Sequence, residues 1–256
     1  QTPGGGLTDI DGNQYTSVII GSQEWMAENL RTSSYANGDV IPNITDINQF
    51  LGLTSGAWIH NGNISQLDTV YGKLYNWFTI SDSRKVCPQG WDVPSYYDWD
   101  TLIHTVDPSA SFGTNIAGGK MKSTNPAYWH SPNVGATNES GFSGRGGGFL
   151  SEMGYFYDNN LLGEWWSSTI DSDSLSYLLS LCYANDYASV GVNHPNNGQS
   201  IRCIKRPELN LIEISPIKRK LIKIIDIMGK ETDPQPNMIL IYIFSDGSTE
   251  KLFRVE

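Results

Sequence analysis

The chain has 256 residues and a formal net charge of −10, an acidity that argues against nucleic acid or an anionic membrane as its partner. No apolar run approaches the roughly 20 residues that a membrane-spanning helix needs. Composition breaks near Pro207: all eight Trp, all three Cys and all four His lie in residues 1–206, which carry net −9 against −1 for 207–256. The start, Gln1-Thr2-Pro3-Gly4-Gly5-Gly6, reads as the remnant of a removed signal peptide and predicts export. Asp9-Ile10-Asp11-Gly12-Asn13 reads as a turn before a strand over 15–20. A calcium loop is the competing reading there, but no bidentate carboxylate follows at EF-hand spacing. A short helix is predicted over 45–51. A stronger one follows Pro94-Ser95, with Tyr96, Trp99, Leu102 and Ile103 at i, i+3, i+6 and i+7. Residues 123–148 form a long Gly- and Asn-rich connection, of the kind that binds something or is held by its own hydrogen bonds. Strands are predicted over 165–169, 177–183 and 200–205. In the first, Trp165 and Trp166 alternate, so one should be core while its neighbour faces a loop or the surface. In the second, Tyr177, Leu179, Leu181 and Tyr183 share a face, which leaves Cys182 on the other as a small buried side chain.

Residues 207–216 read as a linker and 217–256 as a small all-β unit. A strand over 220–227 ends at Met228-Gly229. A hairpin then turns at Ser245-Asp246-Gly247-Ser248, because Gly tolerates the positive φ of a tight turn. A unit of about 50 residues buries little core. Its sparsely charged strand edges suit pairing with another chain, while a stability subdomain is the competing reading.

Three cysteines in an exported chain predict one disulfide and one free thiol. A catalytic role for Cys182 would need a nearby base, and no His has a spacing that suggests one. His60, His104, His130 and His194 are scattered, without HxH, HExxH or CxxC, so no metal site is predicted. The candidate ligand site is the 129–139 loop. Trp129, His130, Asn133, Asn138 and Glu139 combine stacking, amide and carboxylate groups there, together with the loops 171–173 and 193–197. The competing reading has Asn138 and Glu139 capping the loop's own backbone.

A series of motifs runs in order through the body. It comprises Thr8-Asp9-Ile10-Asp11-Gly12-Asn13, Gln23-Glu24-Trp25-Met26-Ala27-Glu28-Asn29-Leu30, Tyr71-Gly72-Lys73-Leu74-Tyr75-Asn76-Trp77 and Val86-Cys87-Pro88-Gln89-Gly90-Trp91-Asp92-Val93-Pro94. It continues with Gly118-Gly119-Lys120-Met121-Lys122-Ser123, Asn138-Glu139-Ser140-Gly141-Phe142, Trp165-Trp166-Ser167-Ser168-Thr169 and Ser200-Ile201-Arg202-Cys203. With these runs, residues 1–206 resemble the Fibrobacter succinogenes major paralogous domain, a secreted module. The resemblance implies an α+β fold similar to the C-type lectin-like and sulfatase-modifying-factor proteins: a mixed sheet with long loops and its ends brought together. In that fold Cys87 and Cys203 lie side by side, which implies that they pair. The lectin tripeptides that hold calcium are missing, so no cofactor is expected, with Ca2+ left as the alternative.

In the tail, Asp226-Ile227-Met228-Gly229-Lys230, Ile241-Tyr242-Ile243, Asp246-Gly247 and Lys251 resemble the C-terminal sorting domain that Bacteroidetes attach to type IX secretion cargo. This implies a sandwich-like unit over 217–256 in which Asp226, Gly229, Lys230, Tyr242, Gly247 and Lys251 are read by an outer-membrane shuttle barrel and the translocon. Together the two resemblances imply a non-enzymatic binding or adhesion protein, exported through the periplasm to the cell surface or beyond. Its ligand would be a glycan or a surface protein. The alternatives are a structural surface-coat component and an enzyme related to the sulfatase-modifying factors.

Overall fold

A five-stranded antiparallel sheet joins the two ends of the first unit. Its strands lie in the order Thr2–Pro3, Ser17–Ile20, Gln23–Met26, Ile204–Lys205 and Trp91–Asp92. The last strand of the unit is therefore inserted between an early one and a middle one, with Ile204 opposite Trp25 on one side and Asp92 on the other. The Cys87–Cys203 disulfide fastens this insertion, its Cα atoms 6.0 Å apart and both residues in the core. That is the pairing the family resemblance implied. The computed structural model describes residues 1–111, 113–157, 159–172, 174–206 and 220–253. Its contacts divide the chain into two units, Gln1–Pro207 and Glu208–Glu256. The expected linker, 207–216, lies outside the described residues.

A three-stranded antiparallel sheet, Leu162–Ile170, Ser176–Cys182 and Ala188–Asn193, corrects the one-sided reading of the tryptophan pair. Both Trp165 and Trp166 are 0% exposed. Trp165 belongs to a core with Trp25, Trp99, Phe142 and Leu179, whereas Trp166 belongs to another with Tyr75, Trp91, Leu178 and the disulfide. The strand runs between two cores, so alternation sends each indole into apolar surroundings. Each indole N–H is also satisfied there, Trp165 Nε1 donating to Asn29 Oδ1 at 2.7 Å and Trp166 Nε1 to the Tyr75 carbonyl at 2.8 Å. Cys182, expected to be buried, is a half-buried free thiol at the end of its strand.

The helix after Pro94-Ser95 spans Tyr96–Val106. It starts on a capping box in which Ser95 and Asp98 each accept the other's backbone N–H, and it buries Trp99, Leu102 and Ile103. Trp99 stacks on Trp25 with ring centres 4.7 Å apart, which locks the helix to the first sheet. The earlier helix is Ile47–Leu51, capped by Asp46. The strand expected over 15–20 is two pieces, Gln14–Tyr15 and Ser17–Ile20. The one expected over 200–205 shrinks to Ile204–Lys205, because Gln199 and Ser200 make single bridges to Tyr75 and Trp165 instead. The body is thus α+β, made of small and mostly antiparallel sheets with few helices.

Within 220–253 the second unit is one antiparallel meander of Leu221–Asp226, Ile239–Phe244 and Thr249–Phe253, with Ile239–Phe244 central. Among the described residues this single sheet replaces the expected sandwich. Ile224 and Leu240, on the same face, are its buried side chains. No helix among the described residues is long and apolar enough to cross a membrane.

Candidate functional site

The 129–139 loop is built from its own hydrogen bonds. Trp129 is 2% exposed, and its indole N–H donates to the Gly144 carbonyl at 2.8 Å, so its ring faces are not offered to a ligand. This corrects its expected stacking role. Asn138 adopts φ 52° and closes a turn on Ser143, accepting from its N–H at 2.9 Å and donating to its hydroxyl at 2.9 Å. Asn133, at φ 45°, donates to the Ser123 carbonyl at 3.0 Å. The capping reading therefore holds for Asn138 but not for Glu139, whose carboxylate is exposed, and Asn133 is tied to the backbone in a similar way. His130 and Glu139 remain exposed, His130 with its ring edge-on to Tyr183 at 5.6 Å.

Lys122 anchors this loop from beneath. Its side chain is fully buried, and Nζ donates to the carbonyls of Val134, Cys182 and Asn185 at 2.8, 2.8 and 2.6 Å. Burial pushes its pKa down to about 8. All three ammonium protons are spent on backbone oxygens, so Lys122 ties the loop to the turn after Ser176–Cys182. Arg202 does the same deeper in. It is fully buried, which pushes its pKa well below the usual arginine range. It donates to Asn29 Oδ1 at 2.8 Å and to the carbonyls of Phe142 and Ser143.

The three loops expected to share a ligand do not converge. Ser176 pairs with Asn193 at one end of the Ser176–Cys182 strand, while Lys122 holds the 129–139 loop at the Cys182 end. Those ends stand about 20 Å apart at strand rise. In the 193–197 loop, Asn196 donates to the carbonyls of Leu51 and Leu53, and Asn197 is buried against Asn193. Asp171 accepts the Leu175 N–H at 2.8 Å. Asp173 lies outside the described residues.

Asp9 and Asp11 are likewise occupied by the chain's own donors. Asp9 accepts from the Asn13 N–H and, at 2.6 Å, from the Tyr15 hydroxyl. Asp11 accepts from the Ser33 N–H and the Thr32 hydroxyl, and Gly12, at φ 83°, closes the turn by donating its N–H to the Asp9 carbonyl. Among the described residues no group of three or more His, Cys, Asp or Glu is placed to hold a metal ion. A surface groove of about 660 Å3 lies over the disulfide beside Trp91, Lys85 and Arg206. Its charges are matched in pairs, Lys85 with Asp92 at 3.0 Å and Arg206 with Asp98 at 3.0 Å.

In the second unit Asp226, Gly229 and Lys230 share one turn. Asp226 Oδ1 accepts the N–H groups of Met228 and Lys230, both at 2.9 Å, and Gly229 sits at φ 81°. Gly247, also at φ 81°, lies in the hairpin turn at the opposite end of the sheet. Tyr242 and Lys251 fall on opposite faces between those ends, opposite Ile224 and Ile241 respectively. The six residues thus form no single cluster; the glycines hold the two turns that give the meander its shape.

An aromatic surface lies outside the predicted site, on the outward side of the hairpin Phe149–Leu150 and Phe156–Tyr157. Its signal was period-2 alternation around the turn, Phe149-Leu150 before and Tyr155-Phe156-Tyr157 after. The Fibrobacter succinogenes major domain family (Fib_succ_major) matches residues 18–205. No curated protein and no solved structure matches the chain.

Proposed function

The chain belongs to the Fibrobacter succinogenes major domain family, and from that premise we propose that it is an exported, surface-associated and non-enzymatic binding module whose second unit is its delivery signal. The observation that carries the export reading is the core disulfide Cys87–Cys203, because such bonds form and persist in oxidising compartments outside the cytosol. Family membership itself suggests a surface or extracellular protein. The binding-module reading draws support from how the body spends its charged groups. Lys122, Arg202, Asp9 and Asp11 all fasten loops. A resemblance to C-type lectin-like proteins is part of the same proposal.

The delivery role is assigned to residues 217–256, recognised by an outer-membrane shuttle barrel and the translocon of type IX secretion. Two features support it. Among the described residues the meander is a single sheet that buries Ile224 and Leu240, while Ile222, Met228 and Phe253 are more than half exposed and could be covered by a partner. Its two turns also depend on Gly229 and Gly247, the glycines of the sorting-domain resemblance. A Cβ at Gly247 would meet no neighbouring atom, so Gly247→Val acts through the positive φ alone, at a cost of about 1–2 kcal/mol.

The test is fractionation of a type IX-competent host expressing the full chain, the chain ending at Asp246, and Gly247→Val. The full chain is expected at the surface or in the medium, while the truncated chain stays in the periplasm and Gly247→Val is exported poorly. Equal export of all three removes the delivery role.

A further inference from the structure

The hairpin Phe149–Leu150 and Phe156–Tyr157 has two unlike sides. Leu150 and Phe156 point inward, into a core with Phe50, Ala57 and Leu74. Phe149 and Tyr157, directly opposite each other on the two strands, point outward and stack with ring centres 5.7 Å apart and planes 28° from parallel. Tyr155, two residues before Tyr157 and therefore on the same side, sets its ring 6.0 Å from that of Tyr157. Tyr155 is 62% and Tyr157 38% exposed, with Met153 beside them at the turn. Single exposed apolar residues are ordinary, but two exposed rings contiguous with a third, half-buried one, Phe149, on one side of a hairpin are not.

The platform is held before any ligand arrives. Gly154 at φ 82° closes the turn, with the Ser151 N–H donating to the Tyr155 carbonyl at 3.0 Å. Leu150 exchanges both backbone hydrogen bonds with Gly198 at 2.9 and 2.8 Å, tying the hairpin to the body. Little ordering is left to be lost on binding.

Charge and area choose among occupants. Neither the hairpin's own segment, residues 146–201, nor residues 32–72, which supply Phe50 and Ala57 beneath it, contains Lys or Arg. Glu152 lies in the turn itself, so a polyanion finds little to pair with its charges. The exposed surface of the three residues is on the order of 250 Å2, well below the roughly 800 Å2 per partner of a stable protein interface. A sugar chain suits both limits. Each pyranose offers a face of weakly positive C–H groups to the negative face of an aromatic ring, and its rim of hydroxyls meets the phenol oxygens and the Glu152 carboxylate. We infer that the outward side of this hairpin, Phe149, Tyr155 and Tyr157, binds a neutral polysaccharide by ring stacking. The inference rests on the binding-module reading and names its ligand class and its site.

The test is native affinity electrophoresis of the full chain through gels containing soluble β-glucan, xylan, galactomannan or, as a polyanion, dextran sulfate. At least one neutral polysaccharide should retard the wild type, and Tyr155→Ala with Tyr157→Ala should weaken that retardation by about tenfold. Tyr157→Phe, which keeps the ring, should retain most of it, and His130→Ala should leave it unchanged. Both outer rings are exposed, so calorimetric melting of the double variant should match the wild type. Retardation that survives the double variant but falls with His130→Ala or Glu139→Ala overturns the hairpin site and leaves the binding-module reading standing. Retardation by none of the neutral polysaccharides, by dextran sulfate alone, or replaced by a concentration-dependent dimer that Tyr155→Ala dissolves, overturns the ligand class. Delivery to the surface is measured separately by fractionation and is untouched by any of these results.

Discussion

Removing the disulfide by Cys87→Ala with Cys203→Ala should cost the first unit more than any single core substitution. The bond closes a loop of 116 residues, and on the chain-entropy account a cross-link of that span stabilises by about 5 kcal/mol at 25 °C. Both sulfurs are buried, at 2% and 0% exposure, and losing each adds ~1 kcal/mol, roughly one methylene's burial. For a unit of this size the total of about 7 kcal/mol corresponds to a fall in melting midpoint of roughly 14–28 °C. Calorimetry on the oxidised chain, the reduced chain and the double variant separates the contributions. The reduced chain lacks only the cross-link, while the double variant also lacks the sulfurs. Guanidinium titration adds an independent check, because an unlinked denatured chain exposes more surface and should raise the slope of stability against denaturant. A double variant that melts within about 5 °C of the oxidised protein, with an unchanged slope, would refute the reasoning. The insertion of Ile204–Lys205 between Gln23–Met26 and Trp91–Asp92 would then be holding the ends of the unit together without the bond.

Trp165→Ala and Trp166→Ala should each cost about 3–5 kcal/mol in chemical denaturation, because each empties a different core; one severe and one mild loss would restore the one-sided strand. Lys122→Met should cost about 2 kcal/mol, since it leaves the Val134, Cys182 and Asn185 carbonyls without a donor. Burial lowers the folded-state pKa of Lys122 to about 8 against a model value of 10.5, so the unfolded chain holds the extra proton between those values, and this residue's contribution makes stability rise with pH across that window. The difference in melting between wild type and Lys122→Met, followed from pH 7 to 10, should carry that slope, and a flat difference would count against the buried ammonium. Burial opposes ionisation of Asp98, but its bonds to Arg206 and Ser95 prevail and hold its pKa below the ordinary carboxylate value. Its stabilisation is therefore present above about pH 4 and is lost as pH falls through the lowered folded value. Asp98→Asn should cost about 1–2 kcal/mol at pH 7 and remove that acid sensitivity, as read from acid unfolding curves.

What could be read from the sequence was what local chemistry decides. The helix Tyr96–Val106 announces itself through Ser95, Asp98 and the spacing of Trp99, Leu102 and Ile103, all within one segment. The hairpin turn at Gly247 is equally local. The first sheet is different, because Trp91–Asp92 and Ile204–Lys205 are two-residue strands. Their pairing depends on contacts more than 100 residues apart, and two residues cannot display a period. Trp165 and Trp166 misled for another reason. Alternation tells which side chains share a face, but the step from two faces to one core and one solvent assumes a sheet at the surface of its unit. Here cores lie on both sides, and Leu178 and Leu179, consecutive and both buried, repeat the lesson on the next strand.

The candidate site turned on the same distinction between a residue's type and its surroundings. Trp129 is a candidate by type, because indoles stack on ligands, yet an indole also carries an N–H that burial must satisfy. In this chain the Gly144 carbonyl satisfies it and takes the ring inside. Asn133 and Asn138, predicted ligand donors, sit at positive φ where asparagine is preferred for its local hydrogen bonds; both polar atoms of the Asn138 amide are engaged by Ser143, and the Asn133 NH2 donates to the Ser123 carbonyl. A loop rich in Asn, Gly and Ser can be long because it binds something or because it binds itself, and composition is the same in both cases. Phenylalanine and tyrosine on a short hairpin carry the opposite information. Once Leu150 and Phe156 are spent on the core, alternation obliges Phe149, Tyr155 and Tyr157 to face outward. Their exposure therefore follows from the pattern of the strands, and it is this obligation, more than aromatic content, that makes the hairpin the better place to look for a ligand.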